Sequence, residues 1–169
     1  QDIHPDAAVA TGTLSDDRVI QLLRRIELIS YAKADAVTVL SDDLRKKLVN
    51  RIDTESKLRV IPNFVDTERI YPSDRNNSYR HELGLTDETI VMYAGNIGFS
   101  QPLELLLEAA RHLADRDDII FVINGNGSRR AYFEQEAEEL PNVTFMDYQP
   151  RQRLNEVLAA GDIHVIPLQ

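Results

Sequence analysis

The segment 89–127 constrains the fold most strongly, because it contains the same pattern twice: an apolar run followed at once by a glycine-rich loop. The run 90–94 leads into Gly95-Asn96-Ile97-Gly98, and the run 119–123 leads into Asn124-Gly125-Asn126-Gly127. Short, continuous and partly β-branched runs are typical of strands buried on both faces of a parallel sheet. Apolar residues at helical spacing lie between the two runs: Leu103, Leu106, Leu107, Ala110 and Leu113. The segment therefore predicts a strand, a helix and a second strand in succession.

Both glycine-rich loops are predicted to lie at the carboxyl edge of the sheet, where parallel sheets bind ligands. Glycine lets the backbone approach a ligand closely, and the free N–H groups at the start of the following helix favour an anion such as phosphate. For either loop alone, a tight strand-to-helix turn is an equally good interpretation. Two such loops in succession favour a ligand-binding edge, although neither is a GxGxxG loop or a Walker loop.

The composition excludes several classes of protein. The formal net charge is -9 and no basic stripe offsets it, which argues against nucleic acid as a partner. Without cysteine there is no disulfide framework and no thiolate chemistry, as is usual in a reducing compartment. No apolar run approaches the ~20 residues needed to cross a membrane, and no signal peptide is visible. The histidines are scattered, so no metal site is predicted.

Strand and helix patterns alternate along the whole chain, which predicts an α/β fold with parallel sheet. The predicted strands are 36–40, 58–61, 90–94, 119–123, 143–146 and 163–166. The predicted helices are 15–33, 41–52, 79–83, 102–113, 128–140 and 150–161. Pro102 suits the first turn of the fourth helix, with Ser100 or Gln101 as its cap. Turn-forming residues make 62–77 the best candidate for a linker.

The segment before the linker carries more apolar residues than its two clear strands can bury. They are Leu23, Ile26, Val37, Val39, Leu44, Leu48, Leu58 and Val60. Each buried aliphatic side chain stabilises by roughly 1.5–3 kcal/mol, so this set is expected to be covered. The cover could be residues 90–166, the rest of a larger domain, or a second copy in a homodimer paired through open strand edges, and the last is favoured. Gln1 is not a natural initiator, so the chain is expected to be a piece of a longer protein.

Five motifs in order make the chain resemble the family-4 retaining glycosyltransferases of GT-B fold. They are 34–41 (ADAVTVLS), 60–66 (VIPNFVD), the Gly95 loop, 124–127 (NGNG) and 160–167 (AGDIHVIP). Within this family the chain is most similar to bacterial enzymes that build colanic acid, O-antigen and related surface polysaccharides. The family has two Rossmann-like domains that face a cleft. The acceptor binds mostly to the first domain, and the nucleotide sugar binds mostly to the second.

By this resemblance, residues 1–61 are the C-terminal part of the acceptor-side domain, 62–77 are the linker, and 78–169 are the front part of the donor-binding domain. The family's E-x7-E motif, whose glutamates hold the donor sugar and ribose, would start just beyond Pro167. The glycine-rich loop of the acceptor domain is missing as well. The segment alone is therefore expected to be inactive, whereas the parent protein is expected to be a glycosyltransferase.

The resemblance implies that the loop at Gly95 approaches the donor diphosphate. Most family members place an arginine directly after this glycine and a lysine five positions further on, and these cations neutralise the departing diphosphate. Here the two positions hold Asn96 and Gln101, which can hydrogen-bond to phosphate but carry no charge. A subgroup of the family has a similar loop, with Gly98 in the same place, so the departure does not imply an inactive protein.

The second glycine-rich loop is implied to lie near the nucleotide, through Gly125 and Gly127. Arg130 falls where many relatives carry an arginine. A phosphate contact and an ordinary solvated helix residue are both open for it.

Two further parts of the chain are implied to line the cleft. Tyr148 belongs to the loop 145–149 beside the nucleobase, in which Asp147 replaces a common glycine. Asp2 and His4 lie where the family brings a polar residue into the cleft, and they are the candidate catalytic residues. The alternative is that His4 is structural, as a lone histidine after a strand often is.

The implied activity is transfer of a sugar, with retention, from a UDP- or GDP-linked donor to a glycan or lipid-linked acceptor in cell-surface polysaccharide biosynthesis. No cofactor, metal or nucleic acid is expected. The expected location is the cytoplasm or the inner face of the membrane, with peripheral membrane association of the parent protein. A sugar-nucleotide epimerase of the same fold and a non-catalytic nucleotide-binding or interaction fragment remain open. A redox Rossmann protein is disfavoured, because no GxGxxG follows a strand with an acidic residue about 20 positions further on.

Overall fold

The computed structural model describes residues 5, 6, 9, 12, 14–51 and 55–167. The chain divides into two compact units, Gln1–Val65 and Asp66–Gln169. The elements of the first unit are α1 (Asp17–Lys33), β1 (Val37–Val39), α2 (Asp42–Val49), a 3-10 turn (Glu55–Lys57) and β2 (Leu58–Val60). β1 and β2 form a parallel pair in which Val37 lies opposite Leu58. The two strands predicted here are therefore confirmed, each slightly shorter than predicted.

Side-chain caps explain where the two helices of the first unit begin. The carboxylate of Asp16 accepts hydrogen bonds from the first turn of α1, so α1 begins one residue later than a cap at Ser15 would place it. The hydroxyl of Ser41 accepts from the backbone N–H of Leu44 at 3.3 Å, as predicted for α2. A small core is built from Val39, Leu48 and Leu58. Leu23 and Ile26 on α1 are 39% and 50% exposed, and a second copy as their cover stays a prediction.

The second unit contains one four-stranded sheet and its helices. The elements are α3 (Ser78–Glu82), β3 (Thr89–Ala94), α4 (Glu104–His112), β4 (Ile119–Asn124), α5 (Arg130–Glu136), β5 (Val143–Met146), a 3-10 turn (Arg151–Arg153), α6 (Leu154–Ala160) and β6 (Ile163–His164). The strand order is β5-β4-β3-β6, and all neighbours are parallel. This confirms the predicted α/β fold with a parallel sheet, and it brings the carboxyl ends of β3 and β4 to one edge.

Both faces of this sheet are buried, because alternate residues of a strand point to opposite faces. One face packs with α4 and α5 around Tyr93, Ile97, Leu103, Leu106, Leu107, Ala110, Phe121, Ile123, Phe133 and Ala137. The other packs with α3 and α6 around Tyr79, Ile90, Met92, Val122, Val157 and Ala160. The long apolar runs in β3 and β4 follow from this two-sided burial.

Several element boundaries differ from those predicted, such as the start of α6 at Leu154 instead of residue 150, after a 3-10 turn. α4 begins at Glu104, and the residue in its N-cap position is Leu103, whose side chain makes no capping hydrogen bond. The prediction of Ser100 or Gln101 as cap is therefore wrong. The reason is a turn before the helix, closed by the N–H of Leu103 donating to the Gln101 carbonyl at 2.8 Å. α5 ends at Glu136 instead of residue 140, because the chain continues in 3-10-type turns, in which the N–H groups of Glu138 and Leu140 donate to the carbonyls of Gln135 and Ala137 at 3.2 and 2.9 Å. β6 has only two residues, because only that part pairs with β3.

None of the helices in the described part of the chain combines the length and apolar character required to cross a lipid bilayer.

Candidate functional site

The two glycine-rich loops pack directly against each other at the carboxyl edge of the sheet. β3 and β4 end in register, with Ala94 opposite Asn124. Beyond the strands, the N–H of Ile97 donates to the Asn126 carbonyl at 2.9 Å, and the N–H of Arg129 donates to the Ile97 carbonyl at 3.1 Å. The side chain of Ile97 is fully buried as well. Ile97 therefore anchors the first loop through its side chain, its N–H group and its carbonyl.

The glycines of the second loop are required by this packing. Gly125 and Gly127 have φ of 145° and 158°, which side chains rarely allow. A Cβ on Gly125 would stand 1.9 Å from the Gly95 carbonyl oxygen, and one on Gly127 would stand 2.3 Å from that of Ile97. The predicted contact of these glycines with a nucleotide stays a prediction, but the contact between the loops already explains why both positions hold glycine.

The first loop gathers two side-chain amides over Gly98. A Cβ on Gly98 would stand 2.7 Å from Nδ2 of Asn96 and 3.3 Å from Oε1 of Gln101. Asn96 is exposed, whereas Oε1 of Gln101 is buried and has no hydrogen-bond partner among the described residues. The structure therefore brings the two uncharged residues of this loop together, where each amide can both donate and accept hydrogen bonds.

Arg130 ties the second loop to the loop that follows β5. Its Nη1 donates to the Gly125 carbonyl at 2.8 Å and forms an ion pair with Asp147. Its Nε donates to Glu134 Oε1 at 2.8 Å, and this bond is the main reason that the pKa of Arg130 is raised. The side chain is 17% exposed, so the interpretation as an ordinary solvated helix residue is wrong.

The loop after β5 completes the edge. The N–H of Gly125 donates to the Met146 carbonyl at 2.9 Å. The hydroxyl of Tyr148 donates to the Asn126 carbonyl at 3.4 Å, and Tyr148 remains 57% exposed. Seven predicted donor-binding residues therefore lie on three adjoining loops of one edge: Gly95, Asn96, Gly98, Gln101, Gly125, Gly127 and Tyr148. The eighth, Arg130, is the first residue of α5 and contacts two of these loops. The candidate catalytic residues Asp2 and His4 lie outside the described residues.

A buried tyrosine supports the second loop through a hydrogen bond to its first residue, Asn124. Tyr79 on α3 is fully buried, and its hydroxyl donates to Oδ1 of Asn124. Burial raises the pKa of Tyr79 to about 12, because the phenolate would lose its hydration. Nδ2 of Asn124 has no partner within the described chain. Among the described residues, Tyr79 is therefore the only hydrogen-bond partner of the Asn124 side chain.

Arg129 is a second residue of this edge that the sequence patterns do not single out. Its guanidinium forms an ion pair with Glu104 at 2.8 Å and lies 4.5 Å from the ring centres of both Tyr132 and Phe133. An arginine followed by aromatic residues three and four positions later is the signal that could have found it, because such residues share one helix face.

No metal site is formed by the described residues, since nowhere among them do three His, Asp or Glu side chains come close enough together to hold an ion.

Known proteins match the chain along nearly its whole length. Residues 75–169 match the family model described as glycosyl transferases group 1, and residues 12–69 match the model described as glycosyltransferase family 4. The chain is 30% identical, over 98% of its length, to an Escherichia coli (strain K12) protein named as a glycosyl transferase of colanic acid biosynthesis, WcaI. It covers 42% of that relative, so it spans about two fifths of the protein it matches.

Solved structures share the fold at lower sequence identity. Sucrose-phosphate synthase from Thermosynechococcus elongatus has a TM-score of 0.71 and 21% identity, over 95% of this chain and 42% of that one. Anabaena Alr3699/HepE, solved with UDP and glucose, has a TM-score of 0.68 and 18% identity, over 85% of this chain and 41% of that one. With its parallel sheets and the family model that matches residues 75–169, this chain belongs to the group 1 glycosyltransferases, and its structural neighbours are glycosyltransferases of GT-B fold.

Proposed function

We propose that this chain binds the nucleotide-sugar donor of a glycosyltransferase, and that the longer protein transfers the sugar, with retention, to a glycan or lipid-linked acceptor. The observation that carries the proposal is the meeting of three loops at the carboxyl edge of one parallel sheet. Parallel sheets bind ligands at this edge. Membership of the group 1 glycosyltransferases supports the type of reaction.

The donor diphosphate is assigned to the first loop. The amides of Asn96 and Gln101 both lie beside the Cβ position of Gly98, where Asn96 presents its nitrogen and Gln101 its oxygen. Half a turn of the Gln101 amide would present its nitrogen instead, and each amide nitrogen carries two N–H donors. Donors held in place before the reaction stabilise charge that develops on a leaving group, even when they are uncharged. The two amides would thus take the part that an arginine and a lysine play in most of the family.

Arg130 is assigned a role in shaping the site instead of neutralising the diphosphate. Its charge is already matched by Asp147 and Glu134, and its guanidinium also holds the Gly125 carbonyl. A phosphate at Arg130 would have to displace these partners. The ion pair with Asp147 instead holds the loop that carries Tyr148, which we assign to the nucleobase.

The substrate class rests on the relatives. UDP is the preferred nucleotide of the proposal, with GDP as the alternative, because a protein of the same fold is solved with UDP and glucose. A surface polysaccharide is the proposed product, because the E. coli relative is named for colanic acid biosynthesis. The reaction is assigned to the cytoplasm or the inner face of the membrane, where the parent protein would associate peripherally. In this proposal the nucleotide sugar is a substrate, and no cofactor takes part.

An added cation in the first loop tests the assignment of the diphosphate. Asn96→Arg is expected to tighten UDP binding by about 5- to 10-fold, because charge-assisted hydrogen bonds to phosphate are stronger than neutral ones. Gln135→Arg adds the same charge on the exposed side of α5 and should change the affinity less than about twofold. Calorimetric titration with UDP and GDP measures both. Equal affinities for the two variants and the wild type would rule out a diphosphate at this loop.

The reaction itself is tested with the longer protein that carries this chain. Incubation with a panel of nucleotide sugars and candidate acceptors should yield a glycoside with the anomeric configuration of the donor, as read by NMR. An inverted product would disprove retention. Conversion of the nucleotide sugar without transfer would indicate an epimerase instead.

A further inference from the structure

Arg129 stands between the second glycine-rich loop and α5, yet it contacts the first glycine-rich loop and α4, the helix that follows it. Its backbone N–H donates to the carbonyl of Ile97, while the N–H of Ile97 donates back to Asn126. These two bonds hold the backbone of Ile97 through both its N–H group and its carbonyl. The position of the first loop therefore depends on where the backbone of Arg129 stands.

The side chain of Arg129 fixes that position. Its guanidinium lies against the rings of Tyr132 and Phe133 and forms an ion pair with Glu104, the first residue of α4. It is also 5.7 Å from the ring centre of Phe99, a first-loop residue that is otherwise exposed. The side chain itself is 20% exposed, so little solvent competes for these contacts. A planar guanidinium can stack and pair at once, which lysine cannot do equally well.

The segment held in this way carries the two amides assigned to the diphosphate. Phe99 and Glu104 flank Gln101 in the chain, and Ile97 follows Asn96 directly. Arg130, the next residue, instead holds the loop after β5 through Asp147. Near the carboxyl end of β4, Arg129 thus holds the first glycine-rich loop, and Arg130 holds the loop after β5.

We propose that Arg129 is a positioning residue for the donor site: it locks the first glycine-rich loop against the second and so sets where the amides of Asn96 and Gln101 stand. The functional half of this inference rests on the proposed donor site. The structural half is that the contacts of Arg129 keep the first glycine-rich loop in place, which we call the lock. It can be tested without any ligand.

Amide hydrogen exchange on the 169-residue chain tests the lock without a ligand. In Arg129→Met, exchange at the N–H groups of Ile97 and Arg129 is expected to rise about tenfold or more, while the centres of β3 and β4 stay protected. Arg129→Lys, which keeps the charge, should show a smaller rise. Arg111→Met is the matched control, because it removes an exposed arginine of α4 that pairs with Glu136, and it should leave both amides unchanged.

Several outcomes would overturn the lock. Unchanged exchange at Ile97 in Arg129→Met is one, and an equal rise throughout the second unit is another, because it would indicate a general packing role. If Arg129→Met does not fold, Glu104→Gln decides the question, since it removes the ion pair and keeps the stacking. Wild-type exchange at Ile97 in both Glu104→Gln and Arg129→Lys would then disprove the lock.

UDP titration of the same variants tests the functional half. Arg129→Met is expected to weaken UDP binding by about fivefold or more, with partial recovery in Arg129→Lys and none of this loss in Arg111→Met. Unchanged UDP affinity in Arg129→Met, with raised exchange at Ile97, would disprove the positioning role. A wild-type chain that binds neither UDP nor GDP would refute the proposed donor site and, with it, this half of the inference, while the exchange result would still judge the lock.

Discussion

The two glycine-rich loops look alike in the sequence but use glycine for different physical reasons. In the loop after β4, the positive φ of Gly125 and Gly127 and the nearby carbonyls of the first loop exclude any side chain. In the loop after β3, neither Gly95 nor Gly98 has a positive φ, and an added Cβ would meet side chains instead of backbone. At Gly95 it would meet the hydroxyl and ring of the buried Tyr93, and at Gly98 the amides of Asn96 and Gln101. The second loop needs glycine in order to pack. At Gly98 the first loop can accept a methyl group if the Asn96 amide rotates, whereas Gly95 is confined by the buried side chain of Tyr93.

This difference shows why a glycine-rich pattern at a strand end is ambiguous. A backbone carbonyl in a packed loop cannot move away from an added methyl group, whereas a side-chain amide can rotate. A glycine-rich loop after a strand predicts only that another group comes close to the backbone of that loop. Whether that neighbour is a ligand or another loop depends on the structure around it.

The largest expected effect is that of Gly125→Ala, which should destabilise the second unit by about 3–5 kcal/mol, because it combines backbone strain with a carbonyl clash. Gly84→Ala is the matched control. Gly84 has φ of 72°, but no atom of the described residues lies within 4 Å of its Cβ position, so strain alone should cost about 1–2 kcal/mol. Urea unfolding followed by circular dichroism measures both. Equal losses would contradict the requirement for glycine imposed by the first loop.

An intermediate effect is expected for Tyr79→Phe, which removes the hydrogen bond that braces Asn124 and should cost about 1–3 kcal/mol. The exposed Tyr71 gives the control variant, Tyr71→Phe, which should change the stability by less than about 0.5 kcal/mol. Urea unfolding at neutral pH gives both values. A Tyr79→Phe chain as stable as the wild type would show that the second loop needs no support from α3.

The pH dependence of unfolding sharpens the same point. The unfolded chain loses the Tyr79 proton near pH 10, whereas the folded chain keeps it to about pH 12. Between these values the unfolded state binds fewer protons, so the contribution of Tyr79 to stability is full below pH 10 and is lost as the pH rises to about 12. Tyr79→Phe should therefore make the alkaline loss of stability shallower, as seen in unfolding midpoints between pH 9 and about 12. An unchanged alkaline slope would count against a buried phenol at this position.

The smallest effect on stability is expected for Gly98→Ala, at less than about 0.5 kcal/mol, because the Asn96 amide can rotate away. The same change should weaken UDP binding by about tenfold, since it fills the space over which the two amides meet. Thermal unfolding and calorimetry on the same sample separate the two effects. A large loss of stability, or unchanged UDP binding, would erase the contrast between the loops.

The sequence by itself determined the order and type of the elements in the second unit and the edge to which both loops belong. Two-sided burial requires continuous apolar runs such as 90–94, and a helix between parallel strands requires apolar residues at helical spacing. Both requirements act on near neighbours in the chain, so they are visible in spacing alone. Parallel strands joined by helices then bring both glycine-rich loops to one edge whatever the details of the packing.

Only the tertiary structure decided what each residue of that edge contacts. Arg130 lies 17 positions from Asp147, and Arg129 pairs with Glu104 across the other loop. The start of α4 likewise depends on a turn at Gln101 that no capping pattern indicates. Such contacts arise where the sheet brings separate loops within hydrogen-bonding distance, and local spacing carries no record of them. For the same reason, the clash that excludes a side chain at Gly125 became visible only with the carbonyl of Gly95 beside it.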